Sequence, residues 1–564
     1  MRVNIYRYLI FAAFSFAAMT ATAQNLDPTV VVDRAYEGKL MEVHKPLLEM
    51  AVPDSVMRFD LDFDYSVFEN PYKGSYEFNP YLLSMKPAAS ADGSKKFYLR
   101  AGAGYSLHPE LDLVWSPDFE TNDFSVDVIA RHKSYIGDYL NVDGESEGDS
   151  WSGHDLYSTA GAVGHGDWDS GYADFWATYS NIAVKDRKWN RMYNALDAGV
   201  SVGSKDMATA VDYRFDARYR NGGDVLSGNT FDSVFHNEQI VDVDASVGFP
   251  VGGSMLFFDL EADYAFYGGE YKESAGQFGI TPHYVYRKPR FMVDFGVKVA
   301  KALGNDEPIE ADESSGSVQH IYRGAGVEQI VYPDVTMEFV LIHDALKFKL
   351  HAGGGNRLDT YSSVIGANHH VWNYVPDFTI ERLNASAGFE GRISSRFSYN
   401  LYGGYSIVAN GLLDRVEKSV YDGKEVLNVM TSHTSYAKMY AGLDFLWKGD
   451  AVKVDGSMVY SSLTGDALEQ GYLEPAALTG DVAFEYNWKR RVFAGVDCRF
   501  ATMRNGTVCS VPGYADLGVF AEYAFRRNFS VWARGGNLLG MNIQRNPLYA
   551  EKGAYFTLGI CLNL

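Results

Sequence analysis

A period of two in the apolar pattern recurs along most of this 564-residue chain and constrains its fold more than any other feature. The last ten residues show it without a break, since Phe556, Leu558, Ile560, Leu562 and Leu564 alternate with small or polar residues. Successive side chains of a β-strand point to opposite faces, so this pattern predicts a strand with one wholly apolar face. Similar segments lie at 97–107, 124–131, 211–220, 241–249, 258–266, 335–341, 346–352, 437–447 and 515–525.

The apolar face of these strands can face either a protein core or lipid, and three features favour lipid. The segments of about 10 to 14 residues exceed the five or six that are usual in soluble strands. Aromatic residues lie near strand ends, as in interfacial girdles, at Tyr219, Phe249, Trp447 and Phe525. Short turns such as 250–253 alternate with long polar stretches, which we take as loops at 138–153, 222–235, 303–316 and 354–380.

These features predict an all-β fold, a transmembrane antiparallel β-barrel that extends over residues 97–564. After residue 23 no run of 18 apolar residues occurs, so a closed barrel is the structure by which this chain would cross a membrane. The best count is 22 strands, with 14 to 20 as the alternative if short segments belong to loops. The number of strands is least certain in residues 97–116 and 354–394.

Composition agrees with many strands and turns and excludes other classes. Aromatic residues make up 15% of the chain, and 55 Gly stand against 17 Pro. A formal net charge of -22 argues against a nucleic-acid partner, which needs a basic surface. Three cysteines exclude a disulfide scaffold. We expect Cys498 on the apolar face, Cys509 in a loop and Cys561 on the inward face, so that none pairs with another.

The first 23 residues have the pattern of a cleaved signal peptide. Arg2 and Arg7 precede an apolar stretch from Tyr8 to Met19, and Ala21-Thr22-Ala23 supplies a small-residue cleavage site. We expect cleavage before Gln24, with a retained amphipathic helix as the alternative. The expected location is therefore the outer membrane of a bacterium, with outer-membrane lipid around the barrel.

The last hairpin resembles the closing hairpin of TonB-dependent receptors. Gly536-Asn537-Leu538-Leu539 is followed by Pro547, Tyr549 and Gly553, and then by the aromatic-rich final strand. Several further segments are similar to a subgroup of these receptors from Bacteroidetes-type bacteria. They are Tyr98 to Tyr105, the pair Tyr332-Pro333, Gly353 to Asn356, and Asn70-Pro71-Tyr72 with Phe78 to Tyr81. The resemblance implies a barrel for solute uptake, although the chain ends in Leu564 where these barrels more often end in Phe.

The N-terminal segment departs from this family. The resemblance implies a folded plug of well over a hundred residues before the barrel, whereas residues 24–96 number about seventy. Within them Thr29, Val30, Val31 and Val32 resemble a TonB box, the extended segment that pairs with an energy-coupling partner by strand addition. A β-branched run of this length is also common without that role. Met57 to Tyr65 alternates in polarity, so this segment is expected to pair within the lumen or with a periplasmic or outer-membrane protein.

Charged residues on the inward faces of three strands are the candidate site. Alternation places five carboxylates on the lumen face of one hairpin, at Asp242, Asp244, Asp259, Glu261 and Asp263. The preceding strand adds Arg214, Arg218 and Arg220 on the same face, among Asp212 and Asp216. An acidic wall of this kind favours cations in a pore. The alternative, which we favour, is that these groups neutralise one another across strands.

Other patterns carry weaker signals. The loop from Asp143 to Asp149 has acidic residues at alternating positions but lacks a full calcium-loop pattern. His369 and His370 are expected to point opposite ways in a strand, which disfavours a metal site. No motif of a nucleophile with its base is present, so we expect no enzyme activity and no cofactor.

Two functional hypotheses follow from the sequence. In the first, the protein is a receptor or pore for small solutes, gated by residues 24–96 and by outer loops. In the second, it is a non-conducting structural subunit of a larger envelope assembly, with residues 24–96 as its periplasmic contact. The two hypotheses differ in whether the lumen conducts and in whether the protein purifies with stoichiometric partners.

Overall fold

The computed structural model describes residues 96–105, 107–117, 123–142, 148–187, 189–205, 211–228, 234–269, 274–304, 330–343, 345–371, 374–421, 424–465 and 471–564. The expected signal peptide, residues 24–95 with the TonB-box-like segment at 29–32, and the acidic loop residues 143–147 lie outside this part of the chain. In the described ranges no helix is long and apolar enough to cross a membrane.

The described chain forms a single antiparallel sheet of 22 strands. In chain order they are β1 (Phe97–Gly104), β2 (Glu110–Trp115), β3 (Phe124–Leu140), β4 (Ser150–Trp168), β5 (Gly171–Lys185), β6 (Trp189–Ser204), β7 (Asp212–Gly228), β8 (Val234–Val251), β9 (Ser254–Gly269), β10 (Ser274–Lys288), β11 (Phe291–Gly304), β12 (Val331–Ile342), β13 (Leu346–Asp359), β14 (Asp377–Ser394), β15 (Phe397–Tyr421), β16 (Lys424–Lys448), β17 (Val452–Thr464), β18 (Leu478–Trp488), β19 (Val492–Ala501), β20 (Tyr514–Arg526), β21 (Phe529–Gly536) and β22 (Tyr555–Asn563).

The sheet closes on itself because its first strand pairs on both sides. In β1, Leu99 is opposite Leu113 of β2 and also opposite Leu562 of β22. Every strand therefore has two hydrogen-bonded neighbours, and the edge that an open sheet would expose is removed. The predicted all-β barrel of 22 antiparallel strands is confirmed.

The alternation in sequence sets which face of each strand points outward. On β7 and β9 the apolar residues Phe215 and Leu260 are exposed on the outer surface, each at 42%. The four aromatic residues expected near strand ends are likewise exposed, at Tyr219, Phe249, Trp447 and Phe525. An exposed apolar outer surface is the face that lipid covers in a membrane barrel.

The two ends of the barrel differ, as the sequence predicted. At the end that holds the chain terminus, strands are joined by turns such as Gly252-Gly253, whose φ angles of +57° and +84° only glycine adopts without strain. At the other end lie longer connections, of which residues 360–371, 374–376 and 537–554 are described.

The expected loop bounds were too wide. Residues 138–140 and 150–153 belong to β3 and β4, residues 222–228 and 234–235 belong to β7 and β8, and residues 354–359 and 377–380 belong to β13 and β14. The strands continue beyond the apolar band, and there the outward side chains, for example Asp138 and Ser152, are polar and exposed. The alternation of apolar and polar residues ends at the edge of the apolar band, whereas the backbone hydrogen bonding between strands continues beyond it.

Candidate functional site: the wall and loops of the lumen

The predicted charged wall lies on one face of β7, β8 and β9. Cross-strand pairing places Asp242 opposite Asp263 and Asp244 opposite Glu261. Arg218 lies opposite Asp242 on the other side. This face is the inner one, because side chains of the same parity, such as Asp224 on β7 and Glu238 on β8, contact a loop that comes from β13.

The three arginines bind acids of β6 and β7 more closely than the acids of the hairpin. Arg218 and Arg220 both bind Asp197 of β6, with Arg220 Nη2 to Asp197 Oδ2 at 2.6 Å. Arg218 reaches Asp242 only at 4.0 Å. Arg214 binds Asp216 of its own strand at 2.6 Å. The expected neutralisation therefore occurs on β6 and β7 more than against the acidic hairpin.

Two of the five carboxylates on the hairpin have a cation or an imidazole beside them. Lys298 Nζ of β11 lies 2.5 Å from Glu261, and His283 Nε2 of β10 lies 3.1 Å from Asp259. Asp263 accepts a hydrogen bond from the Gln277 amide. Asp242, Asp244 and Asp263 remain as a group of acids with no ion pair closer than 4.0 Å among the described residues. The role of this wall in passing cations stays a prediction.

The connection between β13 and β14 crosses the lumen. We call residues 360–371 and 374–376 the crossing loop. It begins with a short helix, α1 (Tyr361–Ala367), whose N-terminus is capped by Thr360, because the Thr360 side chain accepts a hydrogen bond from the Ser363 N–H at 3.2 Å. From there the loop reaches the facing wall at β8, β7, β6 and β4, which lie five, six, seven and nine strands from β13 around the barrel.

Arg191 of β6 is the main anchor of the crossing loop. Its guanidinium donates hydrogen bonds to the carbonyl oxygens of His369 at 2.6 Å and Val371 at 2.5 Å. Its Nε lies 3.0 Å from Asp224, and both side chains are fully buried. Tyr361 of α1 donates its hydroxyl to the same carboxylate at 2.6 Å. A buried cation, a buried acid and two loop carbonyls thus form one network.

Further contacts hold α1 against the wall. Glu238 of β8 accepts a hydrogen bond from Tyr193 at 2.9 Å and another from the Ser362 N–H at 3.2 Å. An apolar cluster surrounds these groups and consists of Tyr193, Ala195, Tyr361, Val364, Ile365, Val371 and Tyr374. The crossing loop is therefore packed like a protein core and is not a solvated loop.

The expectation for the two adjacent histidines was wrong in its geometry. His369 and His370 lie in a turn after α1, with ring centroids 4.2 Å apart, and do not lie in a strand. Burial and the Arg191 charge lower the pKa of His369 to about 4. Burial also holds the pKa of His370 well below its usual value. Both rings are neutral near pH 7, and the described residues contain no group of three or more metal-ligating side chains.

A second loop enters the lumen from the C-terminal hairpin. We call residues 537–554, between β21 and β22, the C-terminal loop. Its Tyr549 ring stacks on His370 of the crossing loop, with centroids 3.8 Å apart and planes within 8°. Arg545 holds the loop to the wall through Asp516 at 2.8 Å and also binds Glu551. The two loops therefore meet inside the barrel.

The long hairpin of β15 and β16 covers these loops. Its upper part, residues 411–421 and 424–434, follows a bulge at Asn410, where φ is +67° and the register shifts. Val416 packs with Leu473 and Val511 of neighbouring loops. Leu427 of β16 and Leu548 of the C-terminal loop pack against this cluster. The upper part of this hairpin is therefore packed against the C-terminal loop.

A cavity of about 310 Å³ remains between the loops and the wall. Its charged lining groups are Lys133, Asp155, Asp497, Arg499, Asp516, Arg534, Arg545, Glu551 and Lys552. Its aromatic lining groups are His108, Tyr135, Tyr139, Tyr157, His369, His370, Tyr549 and Tyr555. Pockets that bind small molecules begin at about 300 Å³, so this cavity is large enough for a small solute.

Sequence reasoning missed this cavity and its anchors. Arg191 and Asp224 contact residues more than a hundred positions away, which no local pattern reveals. One signal was present in the crossing loop, where Val364, Ile365 and Val371 are apolar although the region was taken as a polar loop. All three cysteines are unpaired, with Cys498 on the outer face and Cys561 on the inner face.

Comparison with known proteins identifies related folds but no family. No protein-family model matches the chain, and no curated protein matches it. Solved structures do match. The copper transporter OprC superposes with a TM-score of 0.62 at 10% identity, covering 84% of this chain and 80% of that chain. The FrpB iron transporter from Neisseria meningitidis (F3-3 variant) superposes with a TM-score of 0.60 at 9% identity, covering 84% of this chain and 82% of that chain.

The siderophore receptor PirA from Acinetobacter baumannii gives a TM-score of 0.59 at 8% identity, covering 83% of this chain and 80% of that chain. At such identities the likeness establishes the fold alone. The chain has the 22-stranded closed barrel of outer-membrane receptors and transporters, and the resemblance inferred from its sequence is confirmed as far as the barrel.

Proposed function

We propose that this protein is an outer-membrane uptake receptor for a small solute, which binds in the lumen beneath the outer loops. The observation that carries the proposal is the cavity of about 310 Å³ lined by the wall, the crossing loop and the C-terminal loop. A barrel of 22 strands is wide enough to need a plug. Here two of the chain's own loops occupy the lumen, and a solute-sized space is left between them.

The likeness of the fold to solved receptors and transporters also supports an uptake function. OprC is a copper transporter, FrpB an iron transporter and PirA a siderophore receptor. These activities belong to those proteins, and the solute of the present chain has to follow from its own cavity. We assign no catalytic role to the lining residues.

We further propose separate roles for residues 1–23 and residues 24–96. Residues 1–23 would direct export, and residues 24–96 would gate the barrel or contact a periplasmic partner. The TonB-box-like residues 29–32 would then be the contact for energy coupling. The acidic residues 242, 244 and 263 would line the path below the cavity.

The alternative function, a non-conducting structural subunit, also has an observation in its favour. The crossing loop is fixed by a buried ion pair and an apolar cluster, and such packing suits a permanently closed barrel. The two functions differ in whether solute passes and in whether partners accompany the protein.

Solute flux through proteoliposomes tests the proposal. The mature chain from Gln24 and a variant without residues 24–96 would be purified from outer membranes and reconstituted, and uptake of small labelled solutes would be measured. We expect slow flux in the mature chain and faster flux in the variant. Absence of flux in both, together with partners that co-purify in fixed ratio, would refute uptake and support the structural subunit.

A further inference from the structure

The charged groups around the cavity between the loops balance in number. The cationic side chains that line it are those of Lys133, Arg499, Arg534, Arg545 and Lys552. The acidic side chains that line it are those of Asp155, Asp497, Asp516 and Glu551, and Glu110 lies next to it beside His108. An ion of either sign that entered this space alone would therefore meet like charge as well as opposite charge.

One part of this charge is neutralised by direct contacts around the C-terminal loop. Arg545 binds Asp516 at 2.8 Å and also binds Glu551. Asp155 accepts a hydrogen bond from the Tyr139 hydroxyl at 2.9 Å. These groups already have the partners that their charge requires.

Glu110 of β2 balances a second part. It lies opposite Lys133 in the sheet and among the charges of Lys133, Arg534 and Lys552. His108 lies between two members of this group, because its Nε2 is 3.1 Å from Glu110 and 2.9 Å from Lys552 Nζ. This side of the cavity is therefore compensated as well.

Asp497 and Arg499 of β19 differ from the other charged groups. Both line the cavity from the same face of one strand, with Cα atoms about 7 Å apart, and neither forms an ion pair with any residue that the structure describes. The acids opposite Arg499 in register, Asp481 and Asp516, are not joined to it either. One acid and one cation therefore stand side by side at the cavity without a bonded partner.

Two glycines allow Asp497 and Tyr555 to lie over the wall of the barrel. Asp497 is opposite Gly518 of β20, where a Cβ would be 2.6 Å from Asp497 Oδ1. Tyr555 is opposite Gly536 of β21, where a Cβ would be 2.5 Å from the Tyr555 hydroxyl oxygen. Both glycines line the cavity, so the carboxylate and the phenol ring are placed at its floor by residues without side chains.

We propose that this cavity binds a zwitterion of the α-amino acid type, with its ammonium group at Asp497 and its carboxylate at Arg499. Such a ligand adds no net charge to a balanced cavity and gives each of these two groups a charge-assisted hydrogen bond. Tyr135, Tyr157 and Tyr555 supply aromatic surface for the rest of the ligand. The inference rests on the proposed uptake function and specifies its substrate class.

Ligands with a single charge fit these two groups less well. A simple anion bound at Arg499 would be repelled by the neighbouring Asp497, and a simple cation bound at Asp497 would be repelled by Arg499. A neutral ligand would leave both groups without a charged partner. The zwitterion satisfies both at once.

Calorimetric titration of the purified mature chain in detergent tests the site with four probes of similar shape. Phenylalanine is the zwitterion, hydrocinnamate lacks the ammonium group, phenethylamine lacks the carboxylate, and hydrocinnamamide is neutral. We expect phenylalanine to bind at least tenfold more tightly than each of the other three. An affinity for phenylalanine that does not exceed those of the other probes, or no binding at all, would overturn the proposal.

Substitutions of the two charged groups should change selectivity in opposite directions. Asp497→Asn should weaken phenylalanine binding at least tenfold and strengthen hydrocinnamate binding, because the acid that repels the anion is removed. Arg499→Gln should weaken phenylalanine binding to a similar extent and strengthen phenethylamine binding. A general loss of structure would strengthen neither analogue. Phenylalanine affinity that is retained in both variants would refute the assignment.

Asp112→Asn and Arg131→Gln are the matched controls. These two residues also face inward, on β2 and β3, but they bind each other at 2.9 Å and do not line the cavity. Both controls should keep the phenylalanine affinity of the native chain, and losses equal to those of the site variants would refute the assignment. Phenylalanine binding without solute flux would refute uptake and keep the site, whereas flux without phenylalanine binding would refute the site alone.

Discussion

Removing Arg191 should release the crossing loop from the wall of the barrel. In the variant Arg191→Gln the loop loses the guanidinium that binds the carbonyl oxygens of His369 and Val371. The buried carboxylate of Asp224 loses its cation at the same time. The 22-stranded sheet does not depend on these contacts, so the barrel should remain folded while the loop moves.

The magnitude follows from the two bonds that join Arg191 to the loop. A hydrogen bond to a charged group contributes about 1.5–3 kcal/mol, so the two together contribute about 3–6 kcal/mol to docking of the loop. Glutamine keeps one amide donor, and the loss should therefore lie near the lower end. Since every 1.4 kcal/mol is tenfold, the ratio of docked to released loop should fall by about 10² or more.

Cleavage by chymotrypsin reports the release directly. Tyr361 and Tyr374 of the crossing loop are only 4% and 3% exposed, so the native loop should resist the protease. In Arg191→Gln both sites become accessible, and the chain should be cut within residues 361–374 at least tenfold faster. Arg218→Gln is the control, because it breaks an ion pair of the same wall, to Asp197, without touching the loop.

Equal resistance of Arg191→Gln and the native chain would refute this account of closure. It would mean that the apolar cluster around Val364 and Ile365 holds the loop without help from the ion pair. Equal cleavage of Arg218→Gln would also contradict it, because general loosening of the wall would then explain the result.

Three further outcomes follow from the wall, the loop and the turns. The neutral His369 in the docked loop, with its pKa lowered to about 4, stabilises closure fully above pH 6.5 and loses that contribution as the pH falls toward 4. Bilayer conductance should therefore rise on acidification by up to about tenfold per pH unit, and less in His369→Gln. Asp242→Asn/Asp263→Asn should lower the ratio of cation to anion permeability, measured by reversal potentials in a salt gradient. Arg490 has φ +57° in a turn, so Arg490→Val should destabilise the barrel by about 1–2 kcal/mol and Arg490→Gly should not, as measured by thermal unfolding.

The barrel could be predicted from sequence because its determinants are local. Each strand presents one apolar and one polar face, as Phe215 and Asp216 do on β7, and this period of two is visible in any short window. In lipid an open edge is too costly, so a chain of many such strands has to close. Strand number then followed from counting, and the 22 strands agree.

The closure of the lumen could not be predicted, because its contacts join distant parts of the chain. His369 meets Arg191 only when β6 and β13 stand on opposite walls of the same barrel. The sequence did not indicate which carboxylate each inward arginine binds, and in the structure Arg220 binds Asp197 and not the acids of β8. Choice among several nearby carboxylates depends on side-chain geometry, which alternation does not encode.

Single-channel conductance tests the central claim, that this is a solute-conducting barrel closed by its own loops. The variant to compare with the mature chain lacks residues 24–96 and has residues 361–374 replaced by a short Gly-Ser linker. We predict rare, brief openings in the mature chain and steady, cation-selective openings in the variant. A folded variant that stays silent would contradict the claim and leave the protein as a structural subunit.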